Sequence, residues 1–205
     1  MSEPHEELSD ITVHNPRARM RGVRAPNVEP RPWIESFPVC QVLSQYQIVH
    51  VGTHETTAPM KIVRTKQTTT YFLACYGGRG LVLIDGRWRV CRAGLACLLP
   101  AHTLNAFEAI PGSRWQYCWV CYHRPTEQRP IADTISPVMA RYDPLPLQSA
   151  ILGLMYECGG PGQAAFCGAH GGLGPHRHLV EKGWLLVHFP RVADTQSLPA
   201  RFLHG

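Results

Sequence analysis

Between residues 39 and 122 the chain alternates short apolar runs with turn residues, and this pattern predicts a β-rich domain. Such runs, recurring roughly every 8–12 residues, are typical of an antiparallel sandwich or barrel, here of about eight strands. The strongest local signal is Asp85-Gly86 between two apolar runs, because a type I′ hairpin turn needs positive φ at both central residues. The run at residues 71–76 is expected to end as a separate strand at Gly77-Gly78, and residues 39–51 are also expected to be β-rich.

The flanking segments differ from this domain in composition and in hydrophobic pattern. Residues 1–38 show no hydrophobic period and are rich in proline and arginine, as expected of an extended or disordered arm. Residues 39–123 form the predicted barrel, and residues 124–158 a proline-rich linker with one helix. Residues 159–205 are glycine-rich and are expected to be poorly ordered. The helix is predicted over residues 147–157, where spacing places four apolar residues on one face: Leu147, Ile151, Leu154 and Met155.

Composition narrows the class of protein. The 205 residues include 18 glycines and 18 prolines, which disfavours a helical bundle. The net charge of +5 is mild and does not indicate a nucleic-acid binder. The chain has no apolar run long enough for a transmembrane helix and no apolar region near its N-terminus, so we expect a cytoplasmic protein without membrane contact. Its eight cysteines are then expected to be reduced.

Several motifs occur in a fixed order along the predicted strands: Gly78-Arg79-Gly80, Asp85-Gly86, Gly94 to Pro100, and Trp115 to Trp119. The stretch from Gly94 through Pro100 to Asn105 and Phe107 resembles the second motif of the cupin barrel. More specifically, residues 40–160 resemble the N-terminal effector-binding and dimerisation domain of AraC-type transcription regulators. The resemblance implies an all-β, cupin-like jelly-roll barrel with a short C-terminal helical linker, which binds a small effector and dimerises.

Candidate ligand-binding residues follow from strand geometry and from the resemblance. A barrel of about eight strands encloses space for one small ligand. Trp115, Tyr117 and Trp119 alternate along one strand and therefore share a face. The resemblance implies that Arg64 anchors a polar group of the effector, while Phe107, Tyr117 and Trp119 stack on it. The effector would be sugar-like or an aromatic or carboxylate compound. Core packing of the aromatic residues, and a surface salt bridge for Arg64, are the alternatives.

The sequence indicates neither a catalytic centre nor a cofactor. Enzymatic cupins bind a metal through an H-x-H motif and a later histidine, but no H-x-H precedes Gly77 and Asn105 stands at the later position. Cys118 and Cys121 look like half a zinc site, yet residues i and i+3 of a strand point to opposite faces. A metal-dependent cupin enzyme remains the alternative function from another class.

The predicted partners are a small-molecule effector and a second copy of the chain or a related regulator. AraC-type regulators continue into two helix-turn-helix units, and the glycine-rich residues after 158 do not resemble them. We therefore expect a sensor domain without its own DNA-binding domain and without direct DNA contact. A second alternative is a chain that acts only as a dimerisation partner of full-length regulators. The apolar stripe Ile151/Leu154/Met155 would pack either on its own barrel or on a partner.

Overall fold

A computed structural model describes residues 10–26, 28, 31–65, 67–123 and 136–159. Among these residues it contains ten strands and two helices. Their bounds are β1 (Ile11–Val13), β2 (Arg19–Arg24), α1 (Val42–Gln45), β3 (Ile48–Thr56), β4 (Lys61–Arg64), β5 (Thr69–Ile84), β6 (Arg87–Arg92), β7 (Leu95–Leu99), β8 (Asn105–Ala109), β9 (Trp115–His123), β10 (Val138–Arg141) and α2 (Leu145–Gly159).

The strands form two antiparallel layers that share β5. One layer has the order β1-β4-β8-β5-β6, and the other has the order β10-β7-β5-β9-β3-β2. The first half of β5 pairs with β7 and β9, and its second half pairs with β6 and β8. The chain therefore passes from one layer to the other within a single strand and curls the sheet around an interior. This confirms the predicted all-β barrel.

Two glycines let β5 make this passage. Gly78 has φ +64°, and a Cβ there would overlap the carbonyl oxygen of Arg114. A Cβ on Gly80 would overlap the indole ring of Trp115, so the absent side chain lets that ring lie on the strand. The prediction that a separate strand ends at Gly77-Gly78 was wrong, because the glycines allow a bulge and a tight approach to β9 instead of a turn. As a result seven strands, β3 to β9, occupy residues 39–123 rather than about eight.

The turn between β5 and β6 was predicted correctly from its residue types. Asp85 and Gly86 have φ +50° and +72° and join β5 to β6 in a two-residue hairpin, as expected. The β-rich prediction for residues 39–51 was wrong at its start, because Val42–Gln45 forms the single helical turn α1 and β3 begins at Ile48. Cys40 and Leu43 are both buried, and their spacing of three suits one helical turn rather than a strand.

Strand β9 separates two hydrophobic clusters. Trp115, Tyr117 and Trp119 face the barrel interior and share one face, as predicted from their alternation. Cys118 and Val120 face the opposite way, into a second cluster on the outside of the layer. The site therefore lies on the side of β9 that carries the three aromatic residues.

Helix α2 covers the second cluster. The Oδ1 atom of Asp143 accepts a hydrogen bond of 3.1 Å from the backbone N–H of Leu145 and caps the first turn. Ile151 and Leu154 are 0% and 2% exposed and pack with Val23 and Val51 of the barrel. The predicted helix is confirmed, and of the two packing arrangements left open the stripe adopts the one on its own barrel.

Three strands were not predicted. Within the segment expected to be an extended or disordered arm, β1 pairs with β4 and β2 pairs with β3. Strand β10, in the predicted linker, pairs with β7. The predictions for residues 1–9, 124–135 and 160–205 fall outside the described residues. None of the helices in the described part of the chain is long and apolar enough to cross a membrane.

Candidate ligand-binding site

A cavity of about 40 Å³ lies between the two layers. A volume of this size has room for about three water molecules. All four predicted ligand-binding residues line it: Arg64, Phe107, Tyr117 and Trp119. Three residues of the segment before β3 line it as well: His14, Met20 and Trp33. The first part of the chain therefore forms one wall of the cavity.

The aromatic wall is built mainly on β9. The ring of Tyr117 meets that of Phe107 edge-on, with 6.3 Å between ring centroids. The indole of Trp119 lies against Gly52 on the neighbouring strand, where a Cβ would collide with it. Trp115 is completely buried beneath these residues and does not line the cavity. For Trp115 the alternative of core packing is therefore the one that the structure adopts.

The orientation of Trp119 is fixed by His50. The indole N–H of Trp119 donates to Nδ1 of His50 over 2.9 Å, and Nε2 of His50 lies 3.2 Å from the hydroxyl oxygen of Tyr71. Because an indole can only donate, Nδ1 must accept, so the neutral ring carries its hydrogen on Nε2 and donates it to Tyr71. Burial lowers the pKa of His50 to about 3, which keeps the ring neutral near pH 7.

A second histidine of β3, His54, faces the cavity itself. It stands opposite Tyr117 in the strand pair, and its Nδ1 lies 2.7 Å from the Tyr117 hydroxyl. The residue is 1% exposed, and its Nε2 has no hydrogen-bond partner among the described residues. Burial, and to a lesser degree the nearby His14, lower the pKa of His54 to about 4. His54 is therefore a neutral, half-satisfied polar group on the cavity wall.

His14 lies beside His54. The centroids of the two rings are 6.2 Å apart, and neither ring nitrogen of His14 has a partner among the described residues. Burial, followed by the positive charge of Arg64, lowers the pKa of His14. His14 thus lies within electrostatic reach of both Arg64 and His54.

Arg64 is 7% exposed and connects the cavity to the first strand. Its Nη1 donates to the Ile11 carbonyl oxygen (3.1 Å), to the Thr12 hydroxyl (2.7 Å) and to the Val63 carbonyl oxygen (3.0 Å). The alternative of a surface salt bridge was wrong, because the guanidinium is buried against β1. The three hydrogen bonds use only one of its two terminal nitrogens.

The amide side chains at the cavity are already engaged within their own loops. Asn105 donates to the Pro100 carbonyl oxygen over 2.9 Å, and Gln67 donates to the Thr69 carbonyl oxygen over 2.9 Å. The described residues that line the cavity include no aspartate or glutamate. The polar groups available to a ligand are therefore basic, whereas most of the remaining wall is apolar.

Part of the chain matches a known family. Residues 63–156 match the family of AraC-like ligand-binding domains. This confirms, over these residues, the resemblance drawn from the motifs. No curated protein is similar enough to match the chain.

Several solved structures are similar to this chain at low identity. One is the cupin domain of an XRE family transcriptional regulator from Enterobacter cloacae, with 10% identity and a TM-score of 0.37, covering 53% of this chain and 98% of that one. A predicted oxalate decarboxylase from Thermotoga maritima has 10% identity and a TM-score of 0.40, covering 60% and 100%. A cupin barrel protein from Salinispora arenicola has 12% identity and a TM-score of 0.36, covering 55% and 81%.

The AraC-like segment supplies only part of the cavity. It contains Arg64 and the three aromatic residues assigned to stacking, but it begins after the first part of the chain and after β3. His14, Trp33 and His54 therefore come from outside the matching residues. The basic groups beside Arg64 belong to this chain's own sequence rather than to the family match.

The predicted geometry of the cysteine pair is correct. Cys118 and Cys121 lie on opposite faces of β9, in different hydrophobic clusters. Across the described residues, no group of three or more histidine, cysteine or acidic side chains is placed to hold a metal ion.

The two histidines of β3 were not predicted as part of the site from the sequence. One signal was available, because His50 and His54 are four residues apart and so share a face of a strand. That face becomes a cavity wall only through the pairing of β3 with β9, which no local pattern reveals. For His14 and Trp33 the sequence offers no such signal.

Proposed function

We propose that this chain carries the sensing domain of an AraC-type transcription regulator, which binds a small effector in the cavity between the two layers. The observation that carries the proposal is the convergence of Arg64, Phe107, Tyr117 and Trp119 on one cavity. These residues come from three different strands, β4, β8 and β9, within the segment that matches a ligand-binding family. Apolar walls with a few oriented polar groups are the usual composition of a small-molecule site.

Binding of a sugar or an aromatic effector requires the cavity to enlarge. Space for about three water molecules does not admit a sugar or an aromatic ring. The wall formed by His14 and Trp33 is the one that can move, because both residues are half-buried and belong to the segment before the barrel strands. The wall formed by Tyr117 and Trp119 is held by hydrogen bonds to β3.

The test is a ligand screen of the full chain by thermal shift and tryptophan fluorescence, with sugars and small aromatic acids as probes. A ligand present at a hundred times its Kd stabilises the fold by about 2.7 kcal/mol, which raises Tm by about 5–10 °C for a domain of this size. Phe107→Leu keeps the site apolar but removes one ring, and we expect it to reduce the shift. Arg89→Ala, at an exposed arginine of β6, is the matched control for Arg64→Ala.

Two outcomes would contradict the sensor proposal. The first is a screen in which no compound shifts Tm, together with an unchanged Tm of the Arg64→Ala variant. The second is stoichiometric iron, manganese or zinc in the purified protein, which would favour a metal-dependent enzyme.

We also propose that the domain pairs with a second copy, or with a related regulator, through the outer face of α2. Leu145, Leu152 and Tyr156 are 61%, 40% and 85% exposed. Their spacings of seven and four residues place them in one stripe, opposite the stripe that packs on the barrel. An exposed apolar stripe of this kind is suited to packing against the same stripe of another helix.

Light scattering of the full chain tests this contact. Leu152→Glu is expected to convert a dimer into a monomer, because it places a charge in the centre of the stripe. Val90→Glu is the matched control, since Val90 is 47% exposed on β6 of the other layer. A wild-type monomer at high concentration, or a dimer that is lost with Val90→Glu alone, would contradict the assignment to α2.

A further inference from the structure

Three basic side chains line the cavity, and we call the part of the wall that they form the basic corner: Arg64 from β4, His14 from the first segment, and His54 from β3. The ring centroids of His14 and His54 are 6.2 Å apart. Beside the larger effect of burial, the positive charge of Arg64 lowers the pKa of His14, and protonation of His14 would lower that of His54, so the three groups interact electrostatically. The described lining residues bring no carboxylate to the basic corner. Buried charged or polar side chains are normally paired or hydrogen-bonded.

We propose that this corner binds the carboxylate of a small organic acid, and that binding draws one proton from solvent onto His54. The inference rests on the proposed function, because it names the chemical class of the effector that the cavity takes.

The hydrogen-bond geometry of His54 supports a carboxylate. A neutral imidazole has one donor and one acceptor, and Tyr117 occupies only Nδ1. When His54 is protonated, its Nδ1–H donates to the Tyr117 hydroxyl oxygen and its Nε2–H needs an acceptor. A carboxylate oxygen supplies that acceptor, and the terminal nitrogen of Arg64 not engaged with β1 can donate to the same group.

The groups that face His54 from the surrounding elements are not acidic. Tyr117 faces it from β9, Met20 from β2, His14 from the first segment, and Arg64 lines the same cavity from β4. The nearby carboxylates have partners of their own. Glu55 forms an ion pair with Arg114. Asp10 accepts hydrogen bonds from Thr65, and its negative charge acts on Arg64. The negative charge that would stabilise a protonated His54 therefore has to come from the ligand.

Proton uptake gives the binding equilibrium a definite pH dependence. Burial keeps His54 neutral near pH 7, and a bound carboxylate raises its pKa again. Between the pKa of the free site and that of the complex, one proton binds with each ligand. The apparent Kd then rises as pH rises, by up to about tenfold per pH unit. A ligand without charge causes no such proton uptake.

The cavity size suggests the probes. Formate and acetate have three and four heavy atoms and suit a space of about 40 Å³ without enlargement. Formamide and acetamide are neutral counterparts of nearly the same shape. Titrations of the full chain between pH 5 and 8, in buffers free of carboxylates, can be followed by histidine ring NMR signals and tryptophan fluorescence. We expect formate and acetate to bind at pH 5–6 and to weaken towards pH 8.

Three variants test whether the pH dependence of acetate binding arises at the basic corner. His54→Gln keeps a hydrogen-bonding side chain that cannot take up a proton, and we expect it to abolish the pH dependence of acetate binding. Arg64→Gln is expected to weaken binding at least tenfold at every pH. His123→Gln, at an exposed histidine at the end of β9, is the matched control and should behave like the wild type.

Calorimetry of the wild-type protein does not depend on the variants folding. Acetate binding at pH 6, measured in two buffers of different ionisation enthalpy, is expected to show uptake of close to one proton. Zero uptake, or equal binding of acetate and acetamide at all pH values, would overturn the proposal. If sugars or amides bind while carboxylates do not, the acid proposal fails and the sensor function stands. If no compound of the wider screen binds either, both fail.

Discussion

The two neutral histidines of β3 predict a loss of stability in mild acid. His50 and His54 have pKa values of about 3 and 4 in the folded protein, against 6.5 for an ordinary histidine. As pH falls below 6.5, the unfolded chain therefore binds a proton at each residue while the folded chain does not. The free energy of unfolding then decreases by up to about 1.4 kcal/mol per pH unit for each histidine. For the two residues together, the loss between pH 6.5 and 5 is about 3 kcal/mol.

The pH window separates this effect from that of the carboxylates. Asp10 and Glu55 have lowered pKa values, because Thr65 hydrogen-bonds to the first and Arg114 to the second. Their stabilising contribution is present above their ordinary pKa values of 3.8 and 4.5, and it is lost only as pH falls below these. Down to pH 5 both stay ionised in the folded and the unfolded chain. A loss between pH 6.5 and 5 is therefore due to histidine.

Urea unfolding in carboxylate-free buffers between pH 7 and 5 measures this loss. His50→Gln and His54→Gln should each lower the slope of unfolding free energy against pH by a similar amount, and His14, whose pKa burial also lowers, contributes in the same direction. His102→Gln, at an exposed histidine, should leave it unchanged. A stability that is flat between pH 6.5 and 5, or a slope that neither of the first two variants reduces, would refute the assignment of two buried neutral histidines.

Two further predictions concern single contacts. Tyr117→Phe leaves Nδ1 of His54 buried without a partner, so unfolding free energy should fall by about 1–3 kcal/mol. Tyr156→Phe, at a hydroxyl on an 85% exposed residue, should change it by less than about 0.5 kcal/mol. Ile151→Ala should cost about 2–5 kcal/mol because it opens a cavity under α2, and Leu152→Ala, on the exposed face, should cost far less. Equal effects within either pair in urea unfolding would contradict the packing described.

The sequence predicts those parts of the fold that local chemistry determines. Asp85-Gly86 specifies its hairpin through two positive φ angles, and the apolar spacing of α2 specifies its buried face. The continuation of β5 past Gly77-Gly78 could not be predicted, because the same glycines suit a turn and a bulge. Only the ring of Trp115, brought close by β9, shows why glycine is needed at position 80.

Some residues of the candidate site could likewise be predicted from the sequence, and others could not. Alternation along β9 and the family resemblance placed the aromatic residues correctly on one face, and Arg64 joins them in the cavity. His54 could not be found, because its role depends on the register that sets it opposite Tyr117. The role of His14 depends on a segment that shows no hydrophobic period and reaches the cavity only through the pairing of β1 with β4.

The Nε2 atom of His54 links the stability of the fold to the proposed site. A buried polar atom without a partner costs about 1–3 kcal/mol, and an apolar side chain at position 54 together with Phe at position 117 would avoid that cost. The chain instead keeps a histidine that is fixed on one side by Tyr117 and open on the other. A ligand that supplies the missing acceptor would remove the cost and stabilise the domain.

Because Arg64 both lines the cavity and holds the first strand, such a ligand would also act on the contact between that strand and the barrel. In the proposed site, one side chain would then serve both the recognition of the effector and the anchoring of the first strand.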